Sequence, residues 1–134
     1  MGAWGYGIFE NDMALDWVGD LEGADSAEFL QETFEAIPDD PQDFVESDES
    51  DSALAAGEVV AAILGRPLAL GLPEDITTWI ATHQPQASEK LVKEALRAVR
   101  RVAHQSESRD LWDDADLVDN WMTAVNDLIQ RLTG

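Results

Sequence analysis

Stretch after stretch of this chain repeats its apolar residues three and four positions apart, and they alternate almost nowhere. That period puts them on one face of an α-helix. The first such stretch runs from a cap at Asn11 or Asp12 to about residue 22. Met13, Ala14, Trp17, Val18 and Leu21 form its stripe, and Gly23 stops it. A second, over 26–37, starts on a capping-box-like Asp25/Glu28 pair and ends at Pro38. A third, over 52–64, is alanine-rich on nearly every side and stops at Gly65; it is expected to lie centrally, packed closely through Ala55, Gly57 and Ala62. Pro73 opens a fourth, which buries Ile76, Trp79 and Ile80 and closes before Pro85. Ser88 opens a fifth, to about His104, and a last runs from about Asp113 to Leu132. Helices this close in sequence must bury their stripes against one another. The expectation is an all-α fold: a single compact domain of about six helices over residues 1–134, with an extended N-terminal arm.

The remaining segments are of two kinds. Residues 1–10 mix glycine with Trp4, Tyr6, Ile8 and Phe9, and read as an arm laid on the core. Trp4 and Phe9 are expected to be buried against the first and last helices, around Trp17 and Trp121. Residues 38–52 hold seven carboxylates in fifteen positions and read as an exposed, mobile acidic loop around a Phe44-Val45 anchor.

Charge narrows the function classes. The net charge is −20, and no lysine or arginine precedes Arg66. Residues 1–65 carry 17 of the 28 carboxylates, while all eight basic groups lie beyond. Binding to nucleic acid or to an anionic membrane needs a basic footprint, so neither is expected. Two readings of the acidity stay open: attraction to a basic protein or polyamine, and plain solubility or adaptation to salt. Five basic groups (Lys90, Lys93, Arg97, Arg100 and Arg101) gather on the fifth helix. They are expected to offset carboxylate repulsion and to pair with the acidic first half.

Cysteine is absent, so there are no disulfides, thiolate metal sites or cysteine nucleophiles, and a cytoplasmic location is the default. The opening residues have no basic region or long apolar run of the kind a signal peptide requires. No phosphate loop, dinucleotide fingerprint, nucleophile elbow or zinc-helix pair occurs, and no cofactor is implied. His83 and His104 each fall near a helix C-terminus, where the dipole favours them. Two carboxylate groups, Asp12/Asp16/Asp20 and the 110–119 run, could in principle hold Mg²⁺ or Ca²⁺. Neither has the spacing of a calcium loop.

One segment is specific. Trp4-Gly5-Tyr6-Gly7-Ile8-Phe9-Glu10-Asn11-Asp12, followed by Asp16-Trp17, resembles the bacterial domain-of-unknown-function family numbered 4259. Its members open with W-G-x-G-x-F-x-N-D and a D-W a few residues on. The matching residues are Trp4, Gly5, Gly7, Phe9, Asn11, Asp12, Asp16 and Trp17, and the motif covers about the first 21 residues. The resemblance implies no activity.

The segment has a structural role open to it, through glycine bends, aromatic packing and a helix cap. It equally has a binding role, with Trp4, Tyr6, Phe9, Asn11, Asp12, Asp16, Trp17 and Asp20 as the candidate surface. The function expected from these features is a non-enzymatic acidic binding protein. An antagonist or immunity-type partner of a basic protein is one example of the type. A carboxylate-dependent metal enzyme is the alternative.

Overall fold

A computed structural model describes residues 5–134 and places a helix in each of the six stretches that carry an apolar stripe, although α2 starts from Ala27 with no side-chain cap rather than from an Asp25/Glu28 box. Seven helices follow in order: α1 (Asp12–Glu22), α2 (Glu28–Glu35), α3 (Ser47–Ile63), α4 (Glu74–His83), α5 (Glu89–His104), α6 (Glu107–Asp114) and α7 (Val118–Thr133). No strand appears among the described residues. The fold class is all-α.

Helix α3 is the axis of the core. It packs against α1, α2, α5, α6 and α7, and its residues 53–61 are buried without interruption. Small side chains allow this. A Cβ on Gly57 would stand 3.1 Å from both Leu128 and Val99, so α5 and α7 approach the α3 backbone itself there. The helix ends where expected. Gly65 takes φ +83, and the amides of Gly65 and Arg66 bond back to the carbonyls of Ala62 and Ala61. This is the paired closure that a left-handed residue permits at a helix end.

The helix also carries a charge into the core. Glu58 is fully buried, and Arg131 of α7 grips it with two hydrogen bonds of 2.7 and 2.8 Å. Asp127 holds the same guanidinium at 2.9 Å from the solvent side. The bidentate geometry is what makes burial of a carboxylate tolerable here.

Three expectations need correction. Helix α3 begins at Ser47, five residues early, so the acidic loop spans only 38–46. Acids at 48 and 49 sit in its first turn, where the positive end of the helix favours them. Glu107 completes the cap by accepting the Ser47 amide at 2.8 Å.

Second, the last helix begins at Val118 rather than near Asp113, and an unforeseen helix, α6, precedes it. Asp116 adopts φ +60 between them, and the amides of Asp116 and Leu117 close α6 onto Asp113 and Trp112. Aspartate is one of the few non-glycine residues that enters the left-handed region without great strain. Leu117 is exposed at the corner between them.

Third, Phe44 does not anchor its loop: it is 64 % exposed, and Val45 alone is buried. The loop is fastened from α5 instead. Arg97 donates to the carbonyls of Phe34 and Ile37 and to the Asp39 carboxylate, at 2.7–2.9 Å. Arg101 donates to the carbonyls of Pro38, Asp40 and Asp43 at 2.6–3.0 Å, and Gln105 reaches Pro41. Phe34 lies in the last turn of α2, where its carbonyl accepts the Ile37 amide at 3.0 Å as well as Arg97. Two of the five basic groups, Arg97 and Arg101, therefore reach the acidic first half, and mainly through backbone oxygens.

Candidate functional site

The described part of the N-terminal arm, residues 5–10, is bent into turns. The Glu10 amide bonds the Gly7 carbonyl at 3.0 Å, and the Glu10 carboxylate folds back to accept the Gly7 amide at 3.2 Å. A Cβ on Gly5 or Gly7 would lie 2.3 Å from that carboxylate. The motif's two glycines thus leave the space that Glu10 fills.

Asn11 is the hinge between arm and helix. Its backbone is extended, its side-chain oxygen accepts the Ala14 amide at 2.8 Å, and its amide nitrogen donates to the Ile8 carbonyl at 3.2 Å. Both ends of the side chain are used. An aspartate could cap α1 but could not hold Ile8.

Trp17 is a core residue. It stacks on Phe29 with ring centres 5.6 Å apart, and its indole N–H donates to Thr33 at 3.0 Å, joining α1 to α2. Trp4 falls outside the described residues. Phe9 is half-buried and packs on the core, and Ile8 is buried. Asp12, Asp16 and Asp20 stand on the exposed face of α1.

The predicted surface divides into two. On one side, Tyr6, Ile8 and Phe9 line an open groove of about 380 Å³. Leu68, Leu70 and Pro73 of the 67–73 loop and Ala124 of α7 complete its lining. The 67–73 loop had no assigned role in the sequence. Its signal was the run Leu68-Ala69-Leu70-Gly71-Leu72, which is apolar for a connecting segment.

On the other side, Asn11, Asp12 and Asp16 meet Ser47, Asp48 and Asp51 around an acidic hollow of about 200 Å³. Asp20 lies apart, over a shallow depression beside Trp17, Phe29 and Asp48. Asp48 and Asp51 were hidden by the reading of 38–52 as loop.

Burial pushes the Asp51 carboxyl up to about 6, the Ser108 hydroxyl donating to it at 3.2 Å opposes this, and nearby Asp48 adds to the rise. Glu49 is raised by burial and by Glu46 and Asp48. Across the molecule, Glu22 is raised by a hydrogen bond with Asp75 and by that neighbour's charge.

Asp51 makes stability depend on pH in a definite direction. Its ordinary value is 3.8 and its folded value about 6. Above pH 6 it is charged in both states, and its burial cost is borne in full. As pH falls from 6 toward 3.8, the folded protein takes up a proton that the unfolded chain does not, and the cost fades. Asp51→Asn should therefore raise unfolding free energy at pH 7.5 by on the order of 2 kcal/mol, and have much less effect near pH 4. Urea titrations of both proteins at the two pH values check this. An equal effect at both would remove Asp51 as the source.

The remaining candidates stay apart. Asp110, Asp113, Asp114, Asp116 and Asp119 are all exposed around the α6–α7 corner. His83 is tilted on Trp79, with a ring nitrogen 3.1 Å from that residue's carbonyl oxygen. Among the described residues, no three of histidine, aspartate and glutamate are placed to hold one metal ion. No helix among them is long and apolar enough to cross a membrane.

Comparison with known proteins returns one family. The family model described as a domain of unknown function, DUF4259, matches residues 2–124. No curated protein and no solved structure matches.

Proposed function

We propose that this chain, which belongs to DUF4259, a family of domains of unknown function, is a non-enzymatic binding protein whose acidic face receives a basic protein. The supporting observation is the distribution of ion pairs. Among the described residues, only Asp39 and Glu58 of the first 17 carboxylates pair with a cation. Arginine is largely turned inward. Arg97, Arg101, Arg109 and Arg131 spend their donors on the protein's own carbonyls, carboxylates or a thioether.

The exposed acids of α1, with Asp48 of α3, are therefore left facing solvent without a cation beside them. A surface of one sign accelerates the approach of an oppositely charged protein and repels nucleic acid and anionic membrane. An antagonist of a basic protein, in a cytoplasmic setting, is the form of this function we favour; that choice rests on analogy with small acidic inhibitors.

The test is affinity isolation from the native host on immobilised protein, with retained proteins identified by mass. A basic protein should be retained and should elute in about 1 M salt, where screening shortens to roughly 3 Å. Retention should fall sharply on Asp12→Asn/Asp16→Asn/Asp48→Asn, a variant that leaves the core untouched. Retention that ignores both salt and variant would overturn the proposal.

A further inference from the structure

Charge brings partners together faster than it holds them, so an acidic face alone leaves the grip unexplained. The groove beside it has the complementary character. Leu70 is 96 % exposed, the most exposed large apolar side chain among the described residues. It is held there by a tight turn: the Gly71 amide bonds Leu68 at 3.0 Å, and Gly71 takes φ +95, a conformation that favours glycine. Tyr6, which lines the same groove, is 43 % exposed. Two large, exposed, largely apolar side chains thus share one concavity with Ile8, Phe9 and Ala124.

The charges around it limit what can occupy it. Glu10 lines the groove, Glu74 is exposed next to Pro73, and no lysine or arginine is in the lining. A second copy would bring another net −20 to this rim. The concavity is open and has room for a few side-chain groups rather than a buried helix.

We infer that this groove takes the bulky apolar side chain of a cationic peptide segment, with lysines or arginines beside that anchor facing Glu10 and Glu74. The inference rests on the acidic-binding reading above and adds the site and chemistry of the grip. It also gives the N-terminal motif a second task, because the turn that Gly5, Gly7 and Glu10 build is the turn that presents Tyr6.

The experiment uses three labelled synthetic peptides and fluorescence anisotropy. One carries a central leucine flanked by lysines, one has serine in place of that leucine, and one keeps the leucine but is flanked by glutamates. The protein should bind the lysine-leucine peptide at least about tenfold more tightly than the lysine-serine peptide, as burial of one leucine requires. Tyr6→Ser/Leu70→Ser should erase that preference and leave the affinity for the lysine-serine peptide unchanged. Both positions are exposed, and an unchanged melt confirms that the variant folds.

Equal binding of the two lysine peptides overturns the groove while leaving the acidic reading intact. Failure of both lysine peptides to bind overturns the two together. Equal binding of the glutamate peptide shows that the occupant is not cationic. A dimer in sedimentation that Leu70→Ser dissolves assigns the groove to a second copy. A tenfold gain on removal of residues 2–4 assigns it to the chain's own N-terminal segment. Each of these last three also overturns the inference.

Discussion

Arg131→Met should cost the fold about 3–5 kcal/mol, a large share of the 5–15 kcal/mol that a domain of this size commands. The loss comes less from the missing attraction than from what is stranded. Glu58 has no exposed surface, and the Arg131 guanidinium supplies both of its short hydrogen bonds. Without them a carboxylate is left inside α3 with neither water nor a cation. The double variant Glu58→Leu/Arg131→Met separates the two causes. It removes both charges and fills the space with apolar volume, and should recover most of the loss or all of it. Urea unfolding at pH 7.5 of the parent, the two single variants and the double variant completes the cycle. A double variant as unstable as Arg131→Met would mean that packing, and not stranded charge, explains the effect.

Trp17→Ala should be nearly as damaging, at about 3–5 kcal/mol. The indole fills the seam between α1 and α2, stacks on Phe29 and satisfies Thr33. Its motif neighbours behave differently. Asp16→Ala and Asp20→Ala lie on the exposed face of α1, and should leave the melting temperature unchanged or raise it slightly by easing repulsion. Thermal melts of the three variants compare these directly. A mild Trp17→Ala would show that the seam closes without it, and would return that residue to the list of binding candidates.

What the sequence made legible was local. Asn11 and Ser88 cap α1 and α5 through bonds to the amide three residues on, and both starts could be read from residue type alone. Gly65 likewise marked the end of α3. The errors arose where a local rule met a distant partner. The start of α3 looked like loop because its acids are compensated by the helix end, and its first amide is capped by Glu107, sixty residues away. Helix α6 escaped notice because its eight residues hold only Leu111 and Trp112 as apolar pieces, too few to show a period. Its cap, Ser106, was legible in type but buried in a polar run.

The basic stripe was visible, and so was its direction toward the first half. That its targets are mostly carbonyl oxygens was not, because backbone acceptors carry no letter in the sequence. For the same reason the groove was only half legible. Tyr6 and Phe9 could be singled out, while Leu68 and Leu70 join them only through the fold.

The pairing of Glu58 with Arg131 also sets a clock. The two residues are 73 positions apart, and synthesis at about 5–20 residues per second separates them by roughly 4–15 s. For that interval α3 exists without the cation that lets it enter the core. The nascent first half, with 17 carboxylates and no lysine or arginine of its own, has nothing nearby to neutralise them. Arg97 and Arg101, which fasten the 37–43 segment, also arrive late. The acidic half is thus kept from settling early, because the packing of α3 waits for α7.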